Sequence, residues 1–331
     1  MPGLLTTSVG SLPKPDYLVR ARGARARGQI SQLDLDQAAR LATREWVTFQ
    51  EQLGIDVLVD GEMYRGDMVA YFAENLEGMG LSGLVRSYGN RYYKKPVATG
   101  KIRRLRPITV EWWQFTQGLT ERPVKGMLTG PYTICDWSFD DHFASRREFV
   151  LALAEVVREE AEDLQRAGAR YIQIDEPAVS TRLDELDLAI EALGVVTAGL
   201  TAHTTTHMCY GRFEEVYPRI LDLPVDELDL EMTNSGLDLL SLFPAHPFTK
   251  DIGFGVVDVH SHRVPPVEEV KDRLRVALRY LQPEQVYVDP DCGLKTRTVE
   301  EAQAMLTVVQ QARDEVREEL AGSPPAHPGT R

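Results

Sequence analysis

Residues 146–178 read RREFVLALAEVVREEAEDLQRAGARYIQIDEPA, which is one helix followed by one strand. Apolar side chains recur at helical spacing over residues 146–166, and Gly168 ends that helix. The strand that follows, RYIQIDEPA, is short and apolar until it ends in two acids, Asp175 and Glu176. Similar helical and β-like segments alternate along the rest of the chain. This stretch therefore predicts an α/β architecture for the whole protein.

Eight β-like runs are separated mostly by helical segments. The runs are LLTTSVG (4–10), IDVLVDGE (55–62), PVKGMLTGPYTI (123–134), RYIQIDEPA (170–178), LTAHTTTHMCYG (200–211), DELDLEMTN (226–234), DIGFGVVDVHS (251–261) and EQVYVDPDCG (284–293). Helices are predicted over residues 31–52, 146–166, 182–193, 212–222, 266–281 and 299–320. This order favours a single (β/α)8 TIM barrel over two domains, and we assign the barrel to residues 1–322. Residues 64–120 predict a hairpin-like excursion after the second strand, and the Pro- and Gly-rich residues 323–331 predict a flexible tail.

The composition indicates a globular protein whose partners are neither nucleic acid nor membrane. The chain has 331 residues, of which 43% are hydrophobic and 26% charged, and its formal net charge is −13. A negative charge disfavours nucleic acid and anionic membranes, and no apolar run is long enough to span a bilayer. The first residues, MPGLLTTSVGSLPKP, lack the basic and long apolar parts of a signal peptide. Three widely spaced cysteines favour metal binding in a reducing compartment over disulfides, so we expect a cytoplasmic protein.

Polar residues that interrupt the apolar pattern fall at the carboxyl ends of the predicted strands, where a TIM barrel has its active site. His207 and Cys209 end the fifth strand, and residues i and i+2 of a strand point to the same side, so both can bind one ion. Glu231 ends the sixth strand, and Cys292 follows the eighth. Nitrogen, thiolate and carboxylate ligands suit zinc, so we predict one Zn2+ per chain.

Each proposed ligand also has an ordinary structural explanation. His207 would then be a hydrogen-bonded core histidine, and Cys209 and Cys292 would be inert buried thiols. Glu231 is the hardest to explain in this way, because a buried carboxylate is costly unless it is paired or ligated. We interpret Cys135, which follows the third strand, as a packing residue.

Two thiolates and one carboxylate would give the site a formal charge of about −1 with a dication. Such an ion is a poor Lewis acid for producing hydroxide. It suits a different task, which is to hold an incoming thiol as a nucleophilic thiolate. A free thiol has a pKa of about 8.5 and is mostly protonated at neutral pH, so removing that deficit is worth roughly 2 kcal/mol.

A series of motifs is spread in order over almost the whole chain: TTSVGS, DGEMYRGDMVAYFAE, VRSYGNR, GPYTICDWSF, IQIDEPA, THMCYG, DLEMTNS, GVVDVHS and VDPDCGLKTR. Together they resemble the C-terminal catalytic half of cobalamin-independent methionine synthase. The resemblance implies a (β/α)8 barrel, a catalytic zinc and transfer of a methyl group to the sulfur of homocysteine, which forms methionine. It also implies 5-methyltetrahydrofolate, as a pteroylglutamate, for the methyl donor.

The resemblance assigns a role to each motif residue. The zinc ligands would be His207, Cys209, Glu231 and Cys292. Homocysteine would be held by Val9, Ser11, Glu62 and Asp175. The catalytic proton donor to the leaving group would be His260. The methyl donor would contact Arg91, Tyr92 and Trp137.

Two features leave the donor open between methyltetrahydrofolate and a methylcobamide protein. The full-length family has an N-terminal barrel that helps to bind the polyglutamylated folate, and this sequence contains no counterpart of it. Thr181 stands where the family usually has a glutamate that meets the pterin.

Three other functions fit parts of the pattern. A zinc thiol alkyltransferase would act on another thiol, such as coenzyme M, but Glu62 and Asp175 argue against a substrate that has no ammonium group. A zinc-stabilised barrel without catalytic activity would have a closed metal site. A metal-free decarboxylase on the same fold would contain no zinc.

Overall fold

The structure is a computed structural model that describes residues 3–86, 92–209 and 211–322, with only the backbone described for Arg86, Tyr92 and Tyr93. The predicted tail over residues 323–331 lies outside the described residues. The strands are β1 Leu5–Thr6, β2 Leu76–Arg86, β3 Tyr92–Arg104, β4 Lys125–Thr129, β5 Phe139–Asp140, β6 Tyr171–Asp175, β7 His203–Met208, β8 Glu227–Leu230, β9 Asp251–Gly255 and β10 Val286–Asp289. The α-helices are α1 Asp16–Ala26, α2 Gln32–Leu53, α3 Met68–Ala73, α4 Val110–Gln117, α5 Pro131–Asp136, α6 Arg146–Ala167, α7 Leu186–Thr197, α8 Val267–Ala277 and α9 Val299–Gly322.

Seven of the strands form one parallel sheet in the order β1-β10-β9-β8-β7-β6-β4. The sheet is curled, with helices on its outer side, and this confirms the predicted α/β class. All the carboxyl ends of a parallel sheet face the same way, so the residues that follow these strands meet on one face of the molecule. That face carries the candidate site.

The helices α2, α6, α8 and α9 form where the amphipathic pattern predicts them. In α6 the residues Phe149, Leu153 and Leu164 are buried, and the Ser145 hydroxyl accepts the N–H of Glu148 at the helix start. Gly168 ends this helix with φ +108°, a left-handed conformation that favours glycine. These signals are local in the sequence, which is why the helix and its bounds are predictable.

The predicted second strand is less regular than expected. Residues 55–61 lie between β1 and β4, and Leu58 forms an isolated parallel bridge with Val124. The N–H groups of Asp56 and Val57 donate to the Thr6 carbonyl over 3.1 and 3.0 Å. The ladder stops there because the chain turns at Gly61 and Glu62, whose φ angles of +71° and +58° are incompatible with a strand.

Two helical predictions need correction. Residues 212–222 form two short 3-10 turns, Phe213–Glu215 and Arg219–Asp222, instead of a helix, because Pro218 lacks the N–H that a continuous helix needs. The helix predicted from residue 182 begins at Leu186.

Four helices, α1, α3, α4 and α5, were not predicted. The arginine-rich sequence of α1 has no apolar stripe and buries only Leu18. Helix α5 replaces the end of the third predicted strand, because β4 ends at Thr129 and Pro131 begins a helix.

The excursion after the second strand is a hairpin, as predicted. Strands β2 and β3 pair antiparallel, and β5 adds to β3 in parallel, so the three form a small separate sheet. Among the described residues, no helix is both long enough and apolar enough to cross a membrane.

Candidate metal centre and substrate pocket

Three of the four predicted metal ligands converge at the carboxyl ends of the strands. One ligand atom each from His207, Cys209 and Cys292 lies within 4.8 Å of the other two. His207 is on β7, Cys209 follows that strand, and Cys292 follows β10, which is separated from β7 by two strands of the sheet. The curl of the sheet is therefore what brings the two thiols to the same imidazole.

The donor set suits a borderline-soft cation such as zinc. His207 is buried, yet within the described part of the chain neither of its ring nitrogens has a hydrogen-bond partner of good geometry. A buried imidazole with poorly aligned contacts is costly, and a cation bound by one nitrogen would remove part of that cost. Two thiols and one imidazole are three of the four ligands in common tetrahedral zinc sites.

The ionisation of the cluster depends strongly on its surroundings. Burial alone would lower the pKa of His207, but Asp229 and Cys292 raise it overall, well above its usual value. The Cys209 thiol and burial raise the pKa of Cys292 well above its usual value. A bound cation would reverse the second effect, because coordination selects the thiolate.

Asp229 lies directly behind His207. Its Oδ1 is 3.2 Å from His207 Nδ1, and the carboxylate is fully buried. Room for it comes from Gly253 on β9, where a Cβ atom would stand 2.7 Å from the Asp229 Cβ. A carboxylate behind a metal-ligating histidine fixes the ring and leaves the other nitrogen for the metal. Asp229 was not singled out from the sequence, because its position behind His207 follows from the pairing of β7 with β8.

Glu231, the fourth predicted ligand, lies at the same end of the sheet but makes other contacts. Its Oε1 is 3.1 Å from His260 Nε2, and its Oε2 accepts from Asn234 Nδ2 over 3.3 Å. The residue is buried, so these partners account for a carboxylate that would otherwise be unstable there. Its assignment as a ligand stays a prediction.

Asp291 joins the loop of Glu231 to the loop of Cys292. Its carboxylate accepts the backbone N–H groups of Thr233 over 2.9 Å and Asn234 over 2.8 Å. Burial raises the pKa of Asp291 to about 7, although these two donors favour the charged form. This contact was not predicted, because the sequence gives no indication that residues 233 and 291 meet.

A cavity of ≈ 280 Å³ opens above the cluster. Its lining includes all four residues predicted to hold homocysteine, namely Val9, Ser11, Glu62 and Asp175. His207, Cys209, Cys292 and His260 line the same cavity. The structure thus places the candidate metal ligands, two carboxylates and a histidine around one space large enough for a small amino acid.

Glu62 is stabilised in its charged form by Arg65, which was not singled out from the sequence. Arg65 is fully buried and donates to Glu62 Oε1 over 2.6 Å. Burial alone would raise the pKa of Glu62, but the Arg65 guanidinium lowers it overall below its usual value. Glu62 is thus held as a carboxylate at the cavity wall. The signal was present in GEMYR, where the arginine follows the glutamate by three residues.

The second carboxylate, Asp175, is held less strongly in its charged form. Burial raises the pKa of Asp175 to about 6, and the charge of His207 and a hydrogen bond from Gln173 act in the opposite direction. Its Oδ1 accepts from Gln173 Nε2 over 2.7 Å. At neutral pH the cavity therefore has two anionic groups, which suit a cationic part of a ligand.

His260 reaches the cavity from the loop after β9. The Asp258 carboxylate accepts the backbone N–H of His260 over 2.8 Å, so Asp258 stabilises the loop rather than the ring. The ring Nε2 faces Glu231, as described above. This position beside the cavity is compatible with the predicted proton donor, whose role stays a prediction.

The residues predicted to contact a methyl donor are only partly described. Trp137 lines the cavity and is 37% exposed, so its indole ring has a free surface. Arg91 and the side chain of Tyr92 lie outside the described residues. Thr181 donates its hydroxyl to the Ala178 carbonyl over 3.0 Å, and its side chain is exposed.

Fold and site define an α/β protein with a candidate His–Cys–Cys metal centre at the carboxyl ends of a parallel sheet. The chain belongs to the family described as "Cobalamin-independent synthase, Catalytic domain", which matches residues 4–315. This confirms the family to which the sequence motifs pointed.

Curated relatives carry the name 5-methyltetrahydropteroyltriglutamate–homocysteine methyltransferase. One from Rhodopseudomonas palustris (strain TIE-1) is 40% identical over 97% of this chain and 42% of its own length. One from Mycolicibacterium paratuberculosis is 43% identical over 96% of this chain and 44% of its own length. The chain thus spans less than half the length of these relatives.

Solved structures agree with the family. A B12-independent methionine synthase from Shewanella sp. W3-18-1, in complex with selenomethionine, superimposes with a TM-score of 0.86. It is 29% identical, and the match covers 97% of this chain and 100% of the other. A methyltransferase from Methanosarcina mazei has a TM-score of 0.64 at 15% identity, which shows a shared fold and nothing more.

Proposed function

We propose that this protein transfers a methyl group to the thiol of homocysteine and forms methionine, with Zn2+ bound by His207, Cys209, Cys292 and Glu231. The observation that carries the proposal is the His–Cys–Cys cluster at the floor of a cavity that two carboxylates also line. The names of the relatives support the same reaction, and the complex of the Shewanella protein with selenomethionine supports a pocket for the product amino acid.

A bound zinc ion would supply one thing, the stabilisation of the substrate sulfur as a nucleophilic thiolate at neutral pH. The three clustered residues would hold it, and Glu231 would join them if its side chain leaves His260. Glu231 would also be the ligand that gives way to the substrate sulfur, because a carboxylate is the ligand least suited to a soft site.

The cavity walls would select the amino acid. Glu62 and Asp175 supply negative charge for the substrate ammonium, and charge-assisted hydrogen bonds are the strongest available to it. The backbone around Val9 and Ser11 would bind the substrate carboxylate. A thiol without an ammonium group would gain no charge-assisted hydrogen bond from these carboxylates and would bind more weakly.

His260 would donate a proton to the leaving group of the methyl donor. The imidazole is suited to this step because its usual pKa lies near neutrality. For the donor we propose 5-methyltetrahydropteroylglutamate, with the exposed face of Trp137 available to the pterin. The relatives are named for the triglutamate form.

We also propose that residues 55–61 act as an eighth, irregular strand that closes the curled sheet, so that the fold is a closed (β/α)8 barrel. Leu58 accepts the Lys125 N–H over 2.9 Å and donates its own N–H to the Pro123 carbonyl over 2.8 Å. With the bonds to Thr6 described above, these contacts span from β1 to β4. Because the candidate ligands are thiolates, we place the protein in a reducing compartment, the cytoplasm.

A direct assay tests the proposed function. The zinc-loaded protein is incubated with homocysteine and, in separate reactions, with the mono- or triglutamate of 5-methyltetrahydrofolate or with methylcobalamin, and methionine is quantified. Cys292→Ser is the matched control, because it removes one thiol from the cluster. Methionine formed only with a folate donor supports the full proposal.

The other outcomes are equally decisive. Methionine formed with methylcobalamin alone would keep the acceptor and replace the donor. In a parallel set of reactions coenzyme M takes the place of homocysteine, and methylation of coenzyme M but not of homocysteine would replace the acceptor. No thiol methylation with any donor, in a preparation that contains zinc, would refute the proposal.

A further inference from the structure

Gln173, on β6, lies beneath the cavity and connects two of its walls. Its Nε2 donates to the Val9 carbonyl over 2.6 Å and to Asp175 Oδ1 over 2.7 Å. Val9 and Asp175 both line the cavity, and Gln173 and Val9 are 164 residues apart in the chain. Both hydrogens of one amide are thus used to hold two cavity residues at a fixed separation.

Lys125, on β4, determines the orientation of that amide. Its Nζ donates to Gln173 Oε1 over 2.6 Å, and both side chains are buried. An ammonium group can only donate hydrogen bonds, so the amide oxygen must face Lys125 and the NH₂ group must face Val9 and Asp175. The opposite orientation would place two donors together at Lys125 and leave two acceptors together at the cavity.

We propose that Gln173, oriented by Lys125, is the positioning residue that gives this cavity its preference for thiols carrying an ammonium group. The inference rests on the proposed function, because it takes Asp175 as a partner of the homocysteine ammonium. Gln173 itself does not line the cavity, so it acts through Asp175 and the Val9 carbonyl. One oxygen of Asp175 is held by the amide, which aims the other at the cavity in a fixed direction.

The contact with Asp175 concerns the substrate ammonium, and the contact with Val9 concerns the backbone that would hold the substrate carboxylate. The thiol is placed by the His–Cys–Cys cluster, and its contacts are independent of Gln173. An effect through Val9 is shared by 4-mercaptobutanoate, which has the same thiol and carboxylate without the ammonium group, so the loss of the amide should weaken the binding of homocysteine more strongly than that of 4-mercaptobutanoate. A purely structural role would weaken the binding of both compounds equally.

The test compares the dissociation constants of the two thiols by isothermal titration calorimetry on the zinc-loaded protein. The variants are Gln173→Met, and Lys125→Met combined with Gln173→Met, which also removes the ammonium that Gln173→Met alone would leave without its amide partner. Gln117→Met is the matched control, because Gln117 Nε2 also donates to two oxygens, the carbonyls of Thr120 and Arg122, in the turn before β4, and these residues are not part of the cavity lining. The zinc content of each variant is measured in parallel.

We expect both Gln173 variants to weaken homocysteine binding about ten- to hundredfold and 4-mercaptobutanoate binding by a clearly smaller factor, with zinc retained. Gln117→Met should change neither constant. An equal loss for the two thiols, an unchanged preference for homocysteine, or failure of both variants to fold would overturn the inference. If the wild-type protein binds and methylates homocysteine, and the variants prefer homocysteine to 4-mercaptobutanoate as strongly as the wild type does, this inference alone is refuted. A wild-type protein that binds neither thiol would refute the proposed function together with it.

Discussion

The contact between Asp229 and His207 leads to a quantitative prediction about metal affinity. Replacing Asp229 by Asn keeps the shape of the side chain and removes the charge that lies 3.2 Å from His207 Nδ1. An aspartate in this place holds the ring and increases the basicity of the nitrogen that faces the metal. An amide can present its NH₂ group to the ring and favour the wrong tautomer.

Contacts of this kind to a ligating histidine are worth about 10- to 100-fold in metal affinity. That range corresponds to about 1.4–2.8 kcal/mol. The larger factors in this range of metal affinity apply here, because Asp229 is fully buried and has, among the described residues, no hydrogen-bond partner of good geometry that would replace His207. We therefore expect Asp229→Asn to bind Zn2+ at least tenfold more weakly, with an unchanged fold.

The measurement is competition for zinc between the protein and a chromophoric chelator at pH 7.5, with circular dichroism as the test of folding. Glu227→Gln is the matched control, because Glu227 is also buried on β8 and its Oε2 lies 2.9 Å from a histidine nitrogen, His203 Nε2, but His203 lies outside the cluster. Equal effects of the two substitutions, or no effect of Asp229→Asn, would refute the reasoning.

Three further predictions concern the cluster, the proton donor and stability. Cys209→Ser and Cys292→Ser should each lose bound zinc on gel filtration, whereas Cys135→Ser should retain one ion per chain; zinc retained by both of the first two would contradict the ligand assignment. His260→Asn should keep zinc and homocysteine binding but lower the rate of methionine formation by about 10²- to 10⁴-fold, and a wild-type rate would exclude the proton-donor role. Burial and the Asp229 charge raise the pKa of Asp289 well above its usual value. The folded protein therefore binds the Asp289 proton more tightly than the unfolded chain does. The free energy of unfolding decreases as the pH rises above the unfolded pKa of about 4. Asp289→Asn should therefore raise the free energy of unfolding at pH 8 by about 1–3 kcal/mol and flatten its pH dependence in urea titrations; a destabilised variant would contradict this account.

Helices and strands with strong local signals could be predicted from the sequence. The helix over residues 146–167 and the hairpin after the second strand followed from apolar spacing, capping residues and turn residues. The failures were also local. Pro218 interrupts the segment that was predicted to be helical, and the second strand ends at Gly61 and Glu62 because both have positive φ angles.

The sequence alone also determined which residues collect at the site. In a parallel sheet, residues that end strands must share one face, so the convergence of His207, Cys209 and Cys292 followed from strand order. The family motifs added the cavity residues Glu62 and Asp175, and the structure places both in one cavity with the cluster.

Only the tertiary structure decided how these residues are supported. Asp229 behind His207, Gln173 between Val9 and Asp175, and the pairing of Glu231 with His260 join positions on different strands. The reason is physical: local patterns determine the alternation of side chains along one strand, but the register and curl of the whole sheet determine which inward side chains meet. These contacts between strands, and not the identities of the residues alone, determine the charge and orientation of the groups around the candidate metal centre.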